Sequence, residues 1–254
     1  MTTESIVTLK DICVDFRSYQ ERPTSLKETI IKFIRTGKLK YHSTFPALSK
    51  VSFSVGRGAV FGILGSNGAG KSTLLKVISG VLPPTSGQIE TNGNLDCLIQ
   101  LGAGFDPDLN AIENIYLYGS LRKRAIKDLK ARVDHILEFA ELKDFAATPI
   151  KYYSSGMFAR LGFAVAIDSD PDILVVDEVL AVGDERFKTK CERVFLDRIK
   201  RGKTIIIVSH DLETIKRLCT EAVLLSRGNV VFQGDPDKAV EKYLSKDYKE
   251  RLGS

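Results

Sequence analysis

The sequence predicts an α/β fold built on a buried parallel sheet. Three observations support this. Short β-branched runs alternate with helical patterns along most of the chain, as in α/β proteins. The segments "PDILVVDE" and "KTIIIVSHD" carry fully apolar runs, which are typical of parallel strands buried on both faces. With 43% hydrophobic and 27% charged residues among 254, the composition is that of a globular protein.

The first part of the chain is rich in predicted strands. Alternation and β-branched residues predict strands in "SIVTLKDICVDF", "VSFSV" and "AVFGILG". The segment "KSTLLKVISG" predicts a helix ending at Gly80, and "PTSGQIETNG" predicts a strand between two turns. A charged helical pattern follows from about 110 to 148, and we interpret the region 97–155 as an inserted helical subdomain.

The second part alternates between helices and strands. "KYYSSGMFARLGFA" predicts a polar turn that leads into a helix, with a serine as its cap. The two apolar strands each precede a helix, "ERFKTKCERVFLDRIKR" and "LETIKRLC". A hairpin is expected around Arg227–Gly228–Asn229 in "EAVLLSRGNVVFQG". "DPDKAVEKYL" predicts a last helix, with Asp235 as its cap and Pro236 in its first turn.

Composition excludes several classes of protein. No apolar run approaches the roughly 20 residues that a membrane span needs, and the start "MTTESIVTLK" lacks a secretory pattern. Four scattered cysteines without a C-x-x-C pair predict free thiols in a reducing cytoplasm, and three scattered histidines suggest no zinc site. The net charge of +5 is compatible with an anionic ligand or a membrane surface.

The segment "GSNGAGKS" predicts a phosphate-binding loop. It matches G-x-x-x-x-G-K-[ST], follows the strand "VFGIL" and opens the helix "STLLKVI". Glycines let the backbone wrap around phosphates, whose charge the helix N-terminus favours. Lys71 is expected to reach the β- and γ-phosphates of ATP, and Ser72 to bind Mg²⁺. The predicted ATP-binding residues here are Gly65, Ser66, Asn67, Gly68, Ala69, Gly70, Lys71, Ser72 and Thr73.

Carboxylates at the end of "ILVVDE" are the predicted partners of this loop. Asp177 is expected to hold Mg²⁺, directly or through water. Glu178 is the candidate general base that polarises the attacking water. His210 ends the strand of "IIIVSHD" and is a third candidate, for the γ-phosphate and the water, although a lone histidine is also often structural.

Together these segments resemble the nucleotide-binding domain of ABC transporters, over nearly the whole chain. "YSSGM", Tyr153 to Met157, stands where that family has its Leu-Ser-Gly-Gly-Gln signature, with Ser155 and Met157 as departures. The resemblance implies a P-loop ABC ATPase core with an antiparallel β subdomain. It further implies that Ser154, Ser155 and Gly156 bind the γ-phosphate of ATP held by a second copy, in a head-to-tail dimer.

The resemblance also assigns residues outside these motifs. Gln100 in "CLIQLGAGF" resembles the glutamine-loop residue that senses Mg²⁺ and couples to a membrane partner. Asp184 in "AVGD" resembles the loop that contacts the opposite subunit, and His210 resembles the switch histidine. In that family an aromatic side chain stacks on adenine, and here we choose Phe16 for it, with Tyr19 as the second choice. The alternative is that Phe16 is an ordinary core or surface aromatic residue.

"YSSGM-ARL-FA" and "DE-LAVGD" are similar to ATPase subunits of polysaccharide exporters for O-antigen, teichoic acid and related lipid-linked glycans. That resemblance implies a polytopic membrane permease subunit, with two copies of each chain, and a peripheral location at the cytoplasmic face of the inner membrane. It leads us to expect one nucleotide-binding domain over 1–254, with its ATP-binding core in 1–96 and 156–254 and no C-terminal carbohydrate-binding domain.

Between the first predicted strand and "VSFSV" lies a segment, 22–46, where most compact members of the ABC family would have only a short link. It contains an amphipathic basic helix pattern in "SLKETIIKFIR". Such a helix lies at a membrane surface, packs on a partner or packs on its own domain, and the sequence leaves these open. The resemblance implies a position near the cytosolic entry for the glycan lipid, with Tyr41 as a candidate contact.

Three other functions stay open. An import ATPase has the same core motifs. A soluble ABC ATPase of translation or DNA repair usually has two ATPase domains or a long coiled-coil insert, which this sequence lacks, and no nucleic acid is expected as a partner. A P-loop kinase is disfavoured by the Asp-Glu pair, the signature-like turn and the switch histidine.

Overall fold

A computed structural model describes residues 4–19, 42–98, 101–177, 183–209, 211–245 and 248. The strands are β1 (Ser5–Tyr19), β2 (His42–Gly56), β3 (Val60–Gly65), β4 (Ser86–Thr91), β5 (Leu95–Cys97), β6 (Ile173–Asp177), β7 (Thr204–Val208), β8 (Glu221–Ser226) and β9 (Asn229–Gly234). The α-helices are α1 (Lys71–Ile78), α2 (Ala111–Leu121), α3 (Ile126–Ala140), α4 (Ser155–Asp168), α5 (Glu185–Lys200), α6 (Leu212–Leu218) and α7 (Pro236–Leu244). None of the described helices is both long and apolar enough to cross a membrane.

The larger sheet has the strand order β5-β6-β7-β3-β8-β9. Its neighbouring strands are parallel except for the β8–β9 hairpin. Because parallel strands point the same way, the carboxyl ends of β3, β6 and β7 meet at one edge, the usual position of a ligand site in such sheets. The glycine-rich loop and Asp177 therefore start from the same edge of the sheet.

The smaller sheet, ordered β2-β1-β4, is antiparallel, which confirms the predicted antiparallel subdomain. Strand β2 begins at His42, well before the predicted strand "VSFSV", and pairs with β1 as far as Tyr19. Residues 42–46 of the predicted insert therefore belong to a strand. Pro46 obscured this in the sequence, although β2 is an edge strand, where proline is tolerated. The rest of the insert up to Tyr41 lies outside the described residues.

The core lies on both faces of the larger sheet. Along β6, Leu174 and Val176 pack with the helical region, whereas Ile173 and Val175 pack with α1 and the smaller sheet. Successive side chains of a strand point to opposite faces, so burial of all four residues means that both faces are covered. This confirms the prediction made from the apolar run of "PDILVVDE".

Local signals placed several element ends correctly. Helix α1 is followed by Gly80 with φ 71°, as the sequence predicts. The Asp235 side chain accepts a hydrogen bond from the Lys238 N–H at 3.1 Å and caps α7. The turn between β8 and β9 is formed by Arg227 and Gly228, both with positive φ. Capping and turn chemistry therefore fixed these boundaries as the sequence indicates.

Candidate nucleotide-binding site

The glycine-rich loop connects the carboxyl end of β3 to the first turn of α1. Gly65 is next to Leu225 in the sheet, and a Cβ there would lie 2.8 Å from the Leu225 carbonyl oxygen. Gly70 has φ 104° and caps α1 without a side chain, and a Cβ there would lie 2.8 Å from the Ala47 carbonyl oxygen. Glycine is therefore required at both positions, and the N–H groups of the first turn are left for an anion.

A cavity of about 370 Å³ lies at this loop, between the two sheets. Its walls come from β1, β2, the loop, α1, and the ends of β6 and β7. The lining residues are Phe16, Phe45, Ala47, Asn67, Gly68, Gly70, Lys71, Ser72, Thr73, Asp177 and Val208. The structure thus brings together Phe16, most of the predicted loop residues and Asp177, which are far apart in the sequence.

Lys71 is the cation of this cavity. Its Nζ donates to the carbonyl oxygens of Gly65, at 2.6 Å, and Ser66, at 3.0 Å. The residue is only 7% exposed, and burial lowers the pKa of its ammonium group while the charge of Asp177 opposes that shift. An anionic phosphate here would favour the charged ammonium in the same way as Asp177 does.

The predicted magnesium ligands fit the chemistry of that ion. Ser72 and Asp177 line one cavity, and hydroxyl and carboxylate oxygens are the ligands that Mg²⁺ prefers. Among the described residues there is no cluster of three acidic, histidine or cysteine side chains that would hold a metal by itself. Mg²⁺ is usually bound through one or two carboxylates together with substrate phosphates and water.

Three predicted residues cannot be placed. Glu178, Gln100 and His210 lie outside the described residues. The chain reaches Glu178 directly after Asp177, and reaches His210 two residues after Val208, and both of those preceding residues line the cavity. Their assigned roles therefore stay predictions.

Two phenylalanines form the opposite wall of the cavity. Phe16 on β1 and Phe45 on β2 are directly paired across the antiparallel ladder, so their side chains share one face. They are 44% and 63% exposed. Phe45 was not predicted, because it falls within the insert 22–46; its alternation with Ala47 in "TFPALSK" was the available signal. The side chain of Tyr19, the second choice there, is not among those described.

Gly65, Ser66 and Ala69 belong to the loop but do not line the cavity. Ala69 is 2% exposed and packs in the core between the sheets. The N–H of Ser66 is 2.9 Å from the hydroxyl of Tyr248, to which it donates. Ala69 and the Ser66 N–H thus contact the protein interior, and the assignment of all three residues to ATP binding stays a prediction.

The signature-like turn lies at a second cavity, of about 530 Å³, which shares no lining residue with the first. Ser154 caps α4 by accepting from the Met157 N–H at 3.2 Å, which confirms the predicted cap. Asp184 caps α5 by accepting from the Phe187 N–H at 2.9 Å. The residues around this second cavity are Ser154, Ser155, Gly156, Met157, Ala159, Arg160, Gly183 and Asp184. The structure thus joins the predicted signature residues with Asp184.

These features define the class of protein. A parallel sheet whose strand passes through a G-x-x-x-x-G-K-S loop into a helix, beside a carboxylate on another strand, is a P-loop nucleotide-binding fold.

The chain belongs to the ABC transporter family, whose sequence model matches residues 48–181. The O-antigen export system ATP-binding protein RfbB of Myxococcus xanthus is 41% identical over 93% of this chain and 55% of its own length. An RfbB of Klebsiella pneumoniae is 37% identical over 94% of this chain and 97% of its own length. The teichoic acids export ATP-binding protein TagH of Lactiplantibacillus plantarum is 37% identical over 98% of this chain and 68% of its own length. The chain therefore spans little more than half of the Myxococcus relative.

Solved structures show the same fold. A chain described as the ATP binding subunit of an ABC transporter superposes with a TM-score of 0.73 at 21% identity, covering 98% of this chain and 100% of that one. The dimeric ATP-binding cassette MJ0796, bound to ADP and Pi, superposes with a TM-score of 0.69 at 22% identity, covering 91% of this chain and 98% of that one. The fold class predicted from the sequence is therefore confirmed. The chain thus has the fold of the ATP-binding cassettes of the family to which it belongs.

Proposed function

We propose that this chain is the ATP-hydrolysing subunit of an exporter that carries a lipid-linked polysaccharide of the O-antigen or teichoic-acid type across the cytoplasmic membrane. The observation that carries the proposal is the extent of the similarity. Relatives named for O-antigen or teichoic acid export are 36–41% identical over 93–98% of this chain. The similarity thus extends well beyond the nucleotide-binding motifs, which transporters of other cargo share.

A head-to-tail dimer is the form in which we expect ATP to be hydrolysed. One chain carries a phosphate-binding loop at one cavity and a signature-like turn at a separate cavity. The N-terminus of α4 at that turn favours negative charge, as a γ-phosphate would supply. Each ATP would therefore lie between the loop of one copy and Ser154, Ser155 and Gly156 of the other, with Asp184 at the junction.

Within each such site the residues have distinct roles. Lys71 would hold the β- and γ-phosphates, while Ser72, Asp177 and Gln100 would hold Mg²⁺, which supplies charge neutralisation at the phosphates. Glu178 would accept the proton of the attacking water, and His210 would contact the γ-phosphate.

The partner that we propose is a polytopic membrane permease, in a complex of two permease subunits and two copies of this chain. The chain would lie peripherally at the cytoplasmic face of the membrane. Movement of the loop that holds Gln100 would transmit dimer closure to the permease, and the part of the insert that precedes β2, residues 22–41 with Tyr41, would lie near the entry of the glycan lipid.

Co-purification from the membranes of its own source tests the transport proposal. The tagged chain is isolated from detergent-solubilised membranes, and bound proteins are identified and quantified by mass spectrometry. We expect one polytopic membrane protein in a 1:1 ratio with the chain. Recovery of ribosomes or soluble proteins alone would overturn the exporter proposal and leave the ATPase assignment intact.

The glycan is tested by deletion of the gene and complementation. We expect loss of a surface polysaccharide and accumulation of its lipid-linked form inside the cell. The wild-type chain should restore export, and a Glu178→Gln variant at equal abundance should not. An unchanged surface polysaccharide in the deletion strain would contradict the proposed cargo.

Dimer formation is tested with the same variant in solution. Without its general base, Glu178→Gln should bind Mg·ATP, hydrolyse it at least about a hundredfold more slowly and accumulate as a dimer, because general base catalysis contributes about 10²–10⁴-fold. Light scattering with ATP and with ADP measures the dimer. Normal hydrolysis by this variant would refute the assignment of the base.

A further inference from the structure

A tyrosine near the C-terminus contacts the phosphate-binding loop from behind. Tyr248 is 3% exposed. Its hydroxyl accepts a hydrogen bond from the Ser66 N–H at 2.9 Å and donates one to the Leu225 carbonyl oxygen at 2.8 Å. These bonds tie a loop residue to a residue 182 positions away in the sequence.

The hydroxyl lies where the loop leaves the sheet. Gly65 and Leu225 are the last register pair of β3 and β8, and Ser66 is the first loop residue beyond them. With one donor and two acceptor sites, a phenol can bridge a backbone N–H and a backbone carbonyl. The Tyr248 hydroxyl therefore bridges the two strands just beyond their last backbone pair, between the Ser66 N–H and the Leu225 carbonyl.

The same peptide group also contacts Lys71. The carbonyl of Gly65 and the N–H of Ser66 belong to one planar unit, and in a trans peptide they point in opposite directions. The N–H donates to Tyr248, and the carbonyl accepts from the Lys71 Nζ at 2.6 Å. The orientation of one rigid plane therefore links the tyrosine hydroxyl to the position of the ammonium group.

Packing holds the tyrosine ring in place. Tyr248 belongs to a buried cluster with Leu64, Leu224 and Val240, and its ring centroid is 5.2 Å from that of Tyr243. The ring would therefore remain buried if only its hydroxyl were removed, and such a change would act on the two hydrogen bonds.

We propose that Tyr248 is a positioning residue for nucleotide binding, which fixes the Gly65–Ser66 peptide and through it the ammonium group of Lys71. The inference rests on the assignment of the loop as the ATP site. It adds a residue that lies outside the loop and does not line the nucleotide cavity.

The test is Tyr248→Phe in the full chain, with Tyr243→Phe as the matched control. Tyr243 packs in the same cluster, and its hydroxyl makes no hydrogen bond within the described part of the chain. A net contribution of about 0.5–1.5 kcal/mol for one hydrogen bond corresponds to a change of about 2- to 13-fold in an equilibrium constant.

We expect Tyr248→Phe to raise the Kd of Mg·ATP, and of inorganic tripolyphosphate, by about 2- to 13-fold, with kcat at saturating ATP nearly unchanged. Tyr243→Phe should bind both as the wild type does. Equal Kd values for all three proteins, well below their melting temperatures, would overturn the proposal. A wild-type chain that fails to bind ATP would instead overturn the assignment of the site.

Amide hydrogen exchange of the wild-type protein gives a second test that needs no variant. The Ser66 N–H should be protected without nucleotide, whereas the exposed Asn67 N–H, for which no partner is seen among the described residues, should exchange rapidly. Equal exchange of the two amides would refute the contact with Tyr248.

Discussion

One of the two phenylalanines of the cavity wall, Phe16 or Phe45, is expected to bind adenine, so its removal should weaken adenine binding and leave phosphate binding intact. Phe16 and Phe45 stand side by side on paired strands and face the loop across the cavity. An adenine base that leaves its phosphates at the loop would stack on one of these rings. We therefore predict that Phe16→Ala or Phe45→Ala weakens ATP binding while the contacts to phosphate remain.

The magnitude follows from stacking and exposure. Loss of an aromatic ring under a base costs about 1–3 kcal/mol, which is about 5- to 150-fold in Kd. The rings are 44% and 63% exposed, so their removal should change the free energy of unfolding by no more than about 0.5 kcal/mol. A change in the Kd of ATP without a change in the free energy of unfolding would then show that the ring contacts the ligand.

Isothermal titration with Mg·ATP and with inorganic tripolyphosphate measures the two contributions. The variant that removes the stacking ring should bind ATP more weakly and tripolyphosphate unchanged. Phe145→Ala is the control, because Phe145 is 48% exposed and does not line the cavity. If Phe16→Ala and Phe45→Ala both bind ATP as the control does, the base lies elsewhere and the wall has been misassigned.

Three further predictions concern Lys71 and Ser154 in the two cavities, and Asp172 just before β6. Lys71→Ala should weaken ATP binding by about 10- to 150-fold, because a hydrogen bond to a charged group contributes about 1.5–3 kcal/mol. Lys76→Ala, on the outer face of α1, should bind ATP as the wild type does, and isothermal titration measures both. Ser154→Ala should cost about 1 kcal/mol of stability with the loss of the α4 cap, whereas Ser154→Asp should keep the cap and lose ATP-dependent dimer formation. The hydrogen bond from the Asn94 N–H lowers the pKa of Asp172. The ionised carboxylate therefore stabilises the fold fully above its unfolded pKa of about 3.9, and this stabilisation is lost as the pH falls from there to the folded pKa. The melting temperatures of the wild type and Asp172→Asn should accordingly converge over that fall in pH.

The sequence predicted features whose causes are local. The loop needs glycines at close backbone contacts, and those glycines are visible as a motif. The caps at Ser154 and Asp235 and the turn at Gly228 depend on residues within a few positions, so their chemistry could be read directly. The buried strands could be read from their apolar runs because both faces of the sheet are covered.

Features that depend on distant pairing were missed. Phe45 joins the cavity only because β2 extends back to His42 and pairs with β1, and Pro46 disguised that extension. Tyr248 reaches Ser66 only because α7, which precedes it in the chain, packs against β3 and β8. The hydrogen bond from the Ser66 N–H to Tyr248 could not be predicted for the same reason, because Tyr248 lies at the other end of the chain.

The signature-like turn shows how one group of atoms can serve both the fold and a ligand. A hydroxyl has two acceptor sites and one donor, so Ser154 can accept from the Met157 N–H and still donate outward to a phosphate. Asp184 at the same cavity is likewise positioned by the helix that it caps. Both residues are therefore positioned by hydrogen bonds to their own helices in the single chain. In the proposed dimer this half-site would be preorganised, so that ATP-driven closure would cost less ordering entropy than closure of a flexible interface.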